Sequence, residues 1–204
     1  MQTENDLQKN IMNQFSKTFC RIRVLATLAL FSSVQIVYGQ TPGSDSTGIG
    51  IKTSWKLLDE KNFSLRYPPE WELNQSGMMG TTFILFSPLR SDKDQFKENV
   101  NLLIQDLSGH KIDLNQYVAI SEDQVKTMIS RSTLIESKRM KNGTEEYHRM
   151  IFTGDQGTYH LKFEQHYWIK DENAFVLTLT CEQANFDDYK MVGEAILNSF
   201  TFKK

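Results

Sequence analysis

The side chains best suited to acid–base, metal or nucleophilic chemistry in the second half of this chain are His148, His160, His166 and Cys181. His160 and His166 share one face of a predicted strand, because an even number of residues separates them. Six residues at about 3.3 Å each place the two imidazoles about 20 Å apart, which is too far to share a metal ion. His166 is predicted to lie opposite Glu145 as a simple cross-strand pair.

His148 and Cys181 both fall in alternating apolar series. His148 alternates with Met150 and Phe152, so we predict a histidine at the edge of the core with one hydrogen bond. A role for His148 as a general base is the alternative. Cys181 alternates with Leu179, which predicts a small buried hydrophobic residue rather than a reactive thiol.

No common catalytic motif is present in the sequence. It contains no G-x-S-x-G, H-E-x-x-H or C-x-x-C pattern and no phosphate-binding glycine loop. The polar loop 92–99 offers oxygen ligands but lacks the glycine and the oxygen spacing of an EF-hand, so we predict neither a metal site nor a cofactor. We expect a protein that is not an enzyme. The alternative is a hydrolase or transferase whose site is assembled around His148 or His166.

One side of the predicted sheet carries many aromatic and charged groups: Glu136, Lys138, Tyr147, Arg149, Lys162, Glu164, His166 and Trp168. Interfaces favour Trp, Tyr and Arg. The candidate binding surface for a partner protein or a small ligand consists of Tyr147, Arg149, Lys162, Glu164, His166 and Trp168. Two other interpretations stay open: a helix covers this face, or the charges form a solvated ladder in which Glu136 neutralises Arg149.

The elements that position these residues follow an α+β order. Strands are predicted at 63–67, 81–86 and 99–107, with a polar loop at 87–98. A capping-box pattern at Asp113 predicts a helix that runs to about residue 131. A second helix is predicted from near Asn185. A third reading of this architecture is a carrier for a small apolar molecule held between helix and sheet.

Two turns set the predicted register of the strands between these helices. Asn142-Gly143 is a strong hairpin signal and would place Glu136 opposite Arg149. A second two-residue turn is predicted at Asp155-Gln156. The first turn would also pair Lys138 with Tyr147, and the second would place His148, Met150 and Phe152 beside Phe163, Leu161 and Tyr159.

The first 39 residues are typical of a secretory signal peptide. Basic residues precede the apolar run Val24–Tyr38, and cleavage is predicted between Gly39 and Gln40. This run is shorter than the roughly 20 residues that span a membrane. We therefore predict a signal peptide at 1–39, a flexible linker at 40–54, a domain at 55–204, and an extracytoplasmic protein that is periplasmic or secreted, with no membrane span after cleavage.

Three further features bear on the processed chain. Met12 is an alternative start, and Cys20 precedes the apolar run rather than following it, which disfavours a lipid anchor. Residues 40–204 carry 19 Lys and Arg against 23 Asp and Glu. This acidic balance argues against a nucleic-acid partner, since such binders carry basic surfaces.

Three segments resemble the PsbP-like superfamily. They are Phe63-Ser-Leu-Arg-Tyr67-Pro68-Pro-Glu-Trp71, Phe96-Lys-Glu-Asn99-Val100-Asn101-Leu102 and Ile196-Leu-Asn-Ser199-Phe200. The resemblance spans about residues 55–202. It implies an antiparallel sheet flanked by helices on both faces, as in an α/β/α sandwich, and a binding or accessory role like that of exported bacterial PsbP-related and DcrB-like proteins. The matching positions are structural, so the resemblance assigns no site.

Overall fold

The computed structural model describes residues 54–203. The predicted signal peptide, its cleavage site at Gly39 and Gln40, and the linker up to residue 53 lie outside the described residues. Met12 and Cys20 lie outside them as well. Within 54–203, neither helix is long and apolar enough to cross a bilayer.

The described chain forms two antiparallel sheets and two α-helices. The elements are β1 (Lys56–Asp59), β2 (Phe63–Tyr67), β3 (Glu72–Asn74), β4 (Phe83–Phe86), β5 (Asn99–Asp106), α1 (Leu114–Met128), β6 (Ser130–Asn142), β7 (Glu145–Gln156), β8 (Tyr159–Lys170), β9 (Asn173–Glu182), α2 (Phe186–Asn198) and β10 (Thr201–Phe202). The large sheet has the order β3-β4-β5-β9-β8-β7-β6, and the small sheet has the order β1-β2-β10. This order of elements confirms the predicted α+β class.

Helix α1 begins with the capping box that the sequence predicts. The amide of Gln116 donates to Asp113 Oδ1 at 2.8 Å, and the amide of Asp113 donates to Gln116 Oε1 at 3.0 Å. The helix continues past Ser121, whose hydroxyl donates to the carbonyl of Tyr117 four residues earlier. It ends at Met128, three residues before the predicted end, because the next residue is already extended.

The predicted register of the β6–β7 hairpin is wrong by two residues. The turn lies at Gly143-Thr144, because Asn142 remains paired in the strand and only Gly143 takes a positive φ, of 61°. A bulge between Leu134 and Glu136 then shifts the earlier part of β6. The observed pairs are Lys138 with Arg149, Met140 with Tyr147, and Asn142 with Glu145.

The predicted register of the β7–β8 hairpin is wrong by four residues. The predicted turn residues Asp155 and Gln156 extend β7 instead, and Gly157 supplies the positive φ at the turn. The observed pairs are His148 with Tyr167, Arg149 with His166, Met150 with Gln165, and Phe152 with Phe163. His166 therefore lies opposite Arg149 and not opposite Glu145. Because both errors are even numbers of residues, each side chain stays on its predicted face.

The two faces of the large sheet belong to two hydrophobic clusters. On one face, Tyr117, Val118 and Val125 of α1 cluster with Met150 and Phe163 of the sheet. Each fully buried side chain of this kind contributes about 1.5–3 kcal/mol to stability. This face matches the predicted sheet with a helix packed on it.

The opposite face is covered by α2 and the small sheet together. Ile196 and Leu197 of α2 belong to one cluster with Leu177 of β9 and with Phe63 and Leu65 of β2. The prediction of helices on both faces is therefore right only in part, because two short strands and their partner β10 share the second face with α2. Strand β10 pairs with β2 from the far end of the described chain, which no local pattern reveals.

Candidate functional site

The predicted binding surface lies mostly inside the molecule, beneath α2 and the small sheet. The buried members are Tyr147, Glu164, His166 and Trp168, at 5%, 1%, 3% and 7% exposure. Arg149 and Lys162 are half-buried. Of the interpretations left open by the sequence, the one in which a helix covers this face is therefore correct. The small sheet covers the face together with that helix. A partner or ligand can reach this group only along its edge.

Arg149 is the centre of this face. Its Nε donates to Glu164 Oε1 at 2.8 Å and its Nη2 donates to Glu164 Oε2 at 3.2 Å. Its Nη1 donates to Glu136 Oε1 at 3.1 Å, and its Nη2 also donates to Glu194 Oε1 at 3.1 Å. One guanidinium from β7 thus joins carboxylates from β8, β6 and α2. We call Arg149, Glu136, Glu164 and Glu194 the Arg149 network.

The Arg149 network holds its buried members in their charged forms. Burial by itself would raise the pKa of Glu164, but hydrogen bonds from His166 and Arg149 outweigh it and keep that pKa below its ordinary value. Burial would likewise lower the pKa of Arg149, yet the bond to Glu164 and the nearby carboxylates raise it. His166 Nε2 lies 3.0 Å from Glu164 Oε1. The network is therefore an ionic tie between sheet and helix.

Aromatic rings separate the network from the small sheet. The ring centroids of Tyr147 and His166 are 4.6 Å apart, and those of Tyr147 and Trp168 are 5.4 Å apart. Trp168 in turn packs on Phe200 with a centroid distance of 5.1 Å. Side chains at this depth fix the position of the network and do not meet solvent.

The solvent-facing edge of the network carries both acidic and basic side chains. The side chains of Glu136 and Glu194 are 29% and 31% exposed, and that of Arg149 is 17% exposed. Lys138, at 49% exposure, pairs with Glu136 through a 3.1 Å contact between Nζ and Oε2. We call Glu136, Lys138, Arg149 and Glu194 the charged rim.

His148 lies on the α1 face and contacts a hydroxyl and, through it, a carboxylate. Its Nε2 is 2.7 Å from Ser137 Oγ, and the same hydroxyl donates to Glu122 Oε1 of α1. A serine hydroxyl has one proton. Since that proton is donated in a hydrogen bond to Glu122, His148 must donate from Nε2 to Ser137 Oγ, which leaves the imidazole unable to act as a base toward Ser137. This arrangement differs from a nucleophile–base pair.

Electrostatics favour the neutral imidazole at this position. Burial lowers the pKa of His148 below its ordinary value, and the nearby Arg139 lowers it further, while Glu122 acts in the opposite direction. Arg139 itself donates to Asn115 Oδ1 on α1. Ser137, Glu122 and His148 thus join α1 to the strands β6 and β7. The structure confirms that His148 borders the core.

The remaining candidates are far less suited to chemistry. His160 is exposed and is paired with Asp155, which also binds Arg131. Cys181 is fully buried, and burial raises the pKa of its thiol well above its ordinary value. This confirms the predicted buried hydrophobic residue. In the described range 54–203, no group of three or more His, Cys, Asp or Glu side chains is arranged to hold a metal ion.

Sequence reasoning missed the participation of Ser137, Glu122 and Glu194. Glu194 follows Arg149 by 45 residues, and no sequence pattern specifies where helix α2 lies on the sheet. Ser137 and Glu122 carry no motif. Of the carboxylates bound to Arg149, the sequence suggests only Glu136, through the predicted hairpin. The structure confirms this ion pair, although the hairpin register that suggested it is wrong.

Three solved structures are similar to this chain over most of its length. Cyanobacterial PsbP (CyanoP) from Synechocystis sp. PCC 6803 matches with a TM-score of 0.55 at 15% identity, covering 78% of this chain and 98% of that one. LpqN, involved in cell envelope biogenesis of Mycobacterium tuberculosis, matches with a TM-score of 0.55 at 11% identity, covering 74% and 91%. A protein of unknown function from Pseudomonas aeruginosa matches with a TM-score of 0.54 at 12% identity, covering 74% and 98%. No family model and no curated protein matches the chain.

These matches assign the domain to the PsbP-like fold. At such identities the likeness is one of architecture, and it confirms the fold that the segments at 63–71, 96–102 and 196–200 predict. The class of site is a buried ionic network with a charged rim, on a face covered by α2 and the small sheet.

Proposed function

We propose that the protein is an exported accessory or binding protein of the cell envelope and is not an enzyme. Two observations of different kinds support the proposal. The first is the signal segment with its predicted cleavage between Gly39 and Gln40. The second, which carries most weight, is the whole-domain likeness to LpqN, a protein described as involved in cell envelope biogenesis.

The state of the reactive groups supports binding rather than turnover. Cys181 is buried with a raised pKa, the hydroxyl of Ser137 donates a hydrogen bond to Glu122, and the imidazole of His166 is enclosed beside Glu164 and Tyr147. A general acid or base must reach a substrate proton within hydrogen-bond distance. The hydroxyl of Ser137 and the imidazole of His166 are instead bonded to Glu122 and Glu164, and the thiol of Cys181 is buried.

The charged rim is the proposed contact surface for an envelope partner. The buried residues of the predicted binding surface, Tyr147, Glu164, His166 and Trp168, would support it from beneath, while Glu136, Lys138, Arg149 and Glu194 meet the partner. A rim with both signs of charge suits a partner with a complementary mixed surface. Arg149 is rigid because several bonds hold it, so little side-chain entropy would be lost on association.

Fractionation with mass analysis of the N-terminus tests the export step. We expect the protein in the extracytoplasmic fraction with its N-terminus at Gln40. A protein in which Gly39 and Val37 are replaced by Lys, which blocks the small-residue cleavage site, should retain the leader. Full-length wild-type protein in the cytosol would contradict the proposal.

A second candidate function is a hydrolase at His148, because Ser137 Oγ lies 2.7 Å from its Nε2 beside the Glu122 carboxylate. This geometry would become reactive only if the Ser137 hydroxyl turned away from Glu122 and donated to a His148 Nε2 that carries no proton. The test is hydrolysis of p-nitrophenyl acetate by the wild type, Ser137→Ala and His148→Gln. Turnover lost in both variants would favour the hydrolase, and equal background rates in all three would favour the binding protein.

A further inference from the structure

Five uncharged polar side chains occupy neighbouring positions on the α1 face of the three central strands. They are Asn99 and Asn101 on β5, Gln165 on β8, and Thr178 and Thr180 on β9. In the register, Asn101 pairs with Thr178, which pairs with Gln165. Asn99 pairs with Thr180, which pairs with Phe163. We call these five residues the polar floor.

The placement of the polar floor on this face follows from strand alternation. Leu177 and Leu179 belong to the cluster under α2, whereas Val176 belongs to the cluster under α1. Thr178 and Thr180 therefore point to the α1 side. The interior face of a central strand normally carries apolar residues, so two rows of amides and hydroxyls here are unusual.

One member of the floor has an unused hydrogen-bonding group. Gln165 Nε2 donates to Thr178 Oγ1 at 3.0 Å, and Asn101 Nδ2 donates to Asn99 Oδ1 at 3.2 Å. Thr180 Oγ1 is buried and has no hydrogen-bond partner among the residues that the structure describes. A buried hydroxyl without a partner costs free energy, so such a group marks a place where a bound molecule would supply the missing bond.

Apolar side chains border the floor on both sides. On the β4 side, Ile84 pairs with Asn101 and Phe86 pairs with Asn99. On the other side lie residues of the α1 cluster: Met150, Phe152 and Phe163, with the rings of Phe152 and Phe163 stacked 4.7 Å apart. Asn99 and Asn101 are half-buried, so solvent reaches the floor only at its β5 edge, and Gln165, Thr178 and Thr180 are buried behind that edge.

We propose that the polar floor binds a small uncharged ligand rich in hydroxyl and amide groups, of the saccharide class. Amide and hydroxyl side chains both donate and accept, which matches the mixed groups of a sugar. None of the five side chains is charged, so an ion gains nothing from them. Apolar borders such as Phe86 and Phe163 suit the C–H faces of a sugar ring. The site lies on the opposite face of the sheet from the charged rim and does not depend on the accessory role.

Two matched threonine substitutions test the unused hydroxyl without any ligand. In Thr180→Val the shape is kept and the unpartnered group is removed, so we expect a higher midpoint of thermal unfolding than in the wild type. In Thr178→Val the bond from Gln165 is lost, so we expect a lower midpoint. A lower midpoint for Thr180→Val would mean that an internal water already satisfies the hydroxyl, and it would overturn the proposal.

Titration of the ¹⁵N-labelled mature protein with glucose and with N-acetylglucosamine tests the ligand class. At about 50 mM sugar, above the millimolar Kd expected for one sugar unit, we expect amide shifts confined to residues 99–101, 163–165 and 178–180. Thr180→Val should bind about tenfold more weakly, while Lys126→Gln on the outer side of α1 should bind as the wild type does. Absence of shifts with both sugars, or shifts spread over the surface, would overturn the proposal.

Discussion

Arg149 binds Glu164 through two parallel hydrogen bonds, of 2.8 Å from Nε and 3.2 Å from Nη2, and the carboxylate that it binds is only 1% exposed. A paired charge at that depth is strongly coupled to its partner, because removing one member leaves the other unpaired in a medium of low polarity. The same guanidinium holds Glu194 of α2. Arg149 therefore adds an ionic link between α2 and the sheet to the apolar packing of Ile196 and Leu197.

Arg149→Met should destabilise the fold strongly. The change leaves Glu164 charged, buried and without its main partner, which typically costs about 3–5 kcal/mol of unfolding free energy. Urea denaturation of the mature protein measures it. Lys97→Met is the matched control, since its ion pair with Glu72 is exposed and should contribute less than about 1 kcal/mol. Adding Glu164→Gln to Arg149→Met should recover part of the loss, and no recovery would refute this explanation.

Glu98 should make the protein less stable as the pH rises. It is fully buried, the side chains of Ser87 and Asn185 donate to it only at 3.4 Å, and burial raises its pKa above the ordinary value. In the interval between the ordinary and the raised pKa, the folded state binds more protons than the unfolded state. Its contribution is therefore fully present below the ordinary pKa and is lost as the pH rises through the raised one.

Glu98→Gln is expected to remove this dependence. The variant should be more stable than the wild type at pH 8 and should lose less stability between pH 5 and pH 8, as measured by urea denaturation at each pH. Glu164 acts with the opposite sign, because its pKa is lowered, and its contribution is lost on acidification. An unchanged pH profile in Glu98→Gln would show that Glu98 titrates as it does in the unfolded chain.

Gly193→Ala should destabilise the packing of α2 on β9. A Cβ at this position would lie 2.5 Å from Leu179 Cδ2 and 2.8 Å from Cδ1, which is far inside van der Waals contact. Overpacking of this kind costs about 1–3 kcal/mol and outweighs the gain of about 1 kcal/mol in helix propensity. Thermal unfolding of Gly193→Ala alone and with Leu179→Val measures the effect. A Gly193→Ala protein more stable than the wild type would contradict close packing here.

Cys181 should react with Ellman's reagent only when the protein opens. The thiol is fully buried with a raised pKa, so the labelling rate of the native mature protein should be far below that in 6 M guanidinium. The rate should rise in Gly193→Ala, which loosens the helix over this strand. Rapid labelling of the native wild type would mean that this end of β9 is accessible.

The sequence predicts faces better than it predicts contacts. Alternation within β7 and β8 assigns Met150 and Phe163 to one side and Arg149 and His166 to the other, and the structure confirms both assignments. The predicted turns misplace the pairings because a strand can extend by a residue or two until a glycine ends it. Gly143 and Gly157, each with a φ of 61°, end the strands here.

Long-range features could not be inferred from local pattern. Strands β1, β3 and β10 are two to four residues long, and β10 pairs with β2 from the far end of the described chain. The bond between Arg149 and Glu194 likewise joins elements whose relative placement no periodicity specifies. The cover over the predicted binding surface therefore appears only in three dimensions.

Site-specific photocrosslinking in the producing cells tests most directly whether the charged rim contacts a partner. A photoreactive amino acid at Lys138, which is exposed on the rim, is compared with one at Lys126, which is exposed on α1 on the opposite face. We predict a discrete adduct with one envelope component from position 138 and none from position 126, and the adduct should diminish when Glu194 is also changed to Lys. Equal adducts from both positions, or no adduct from position 138, would contradict the account.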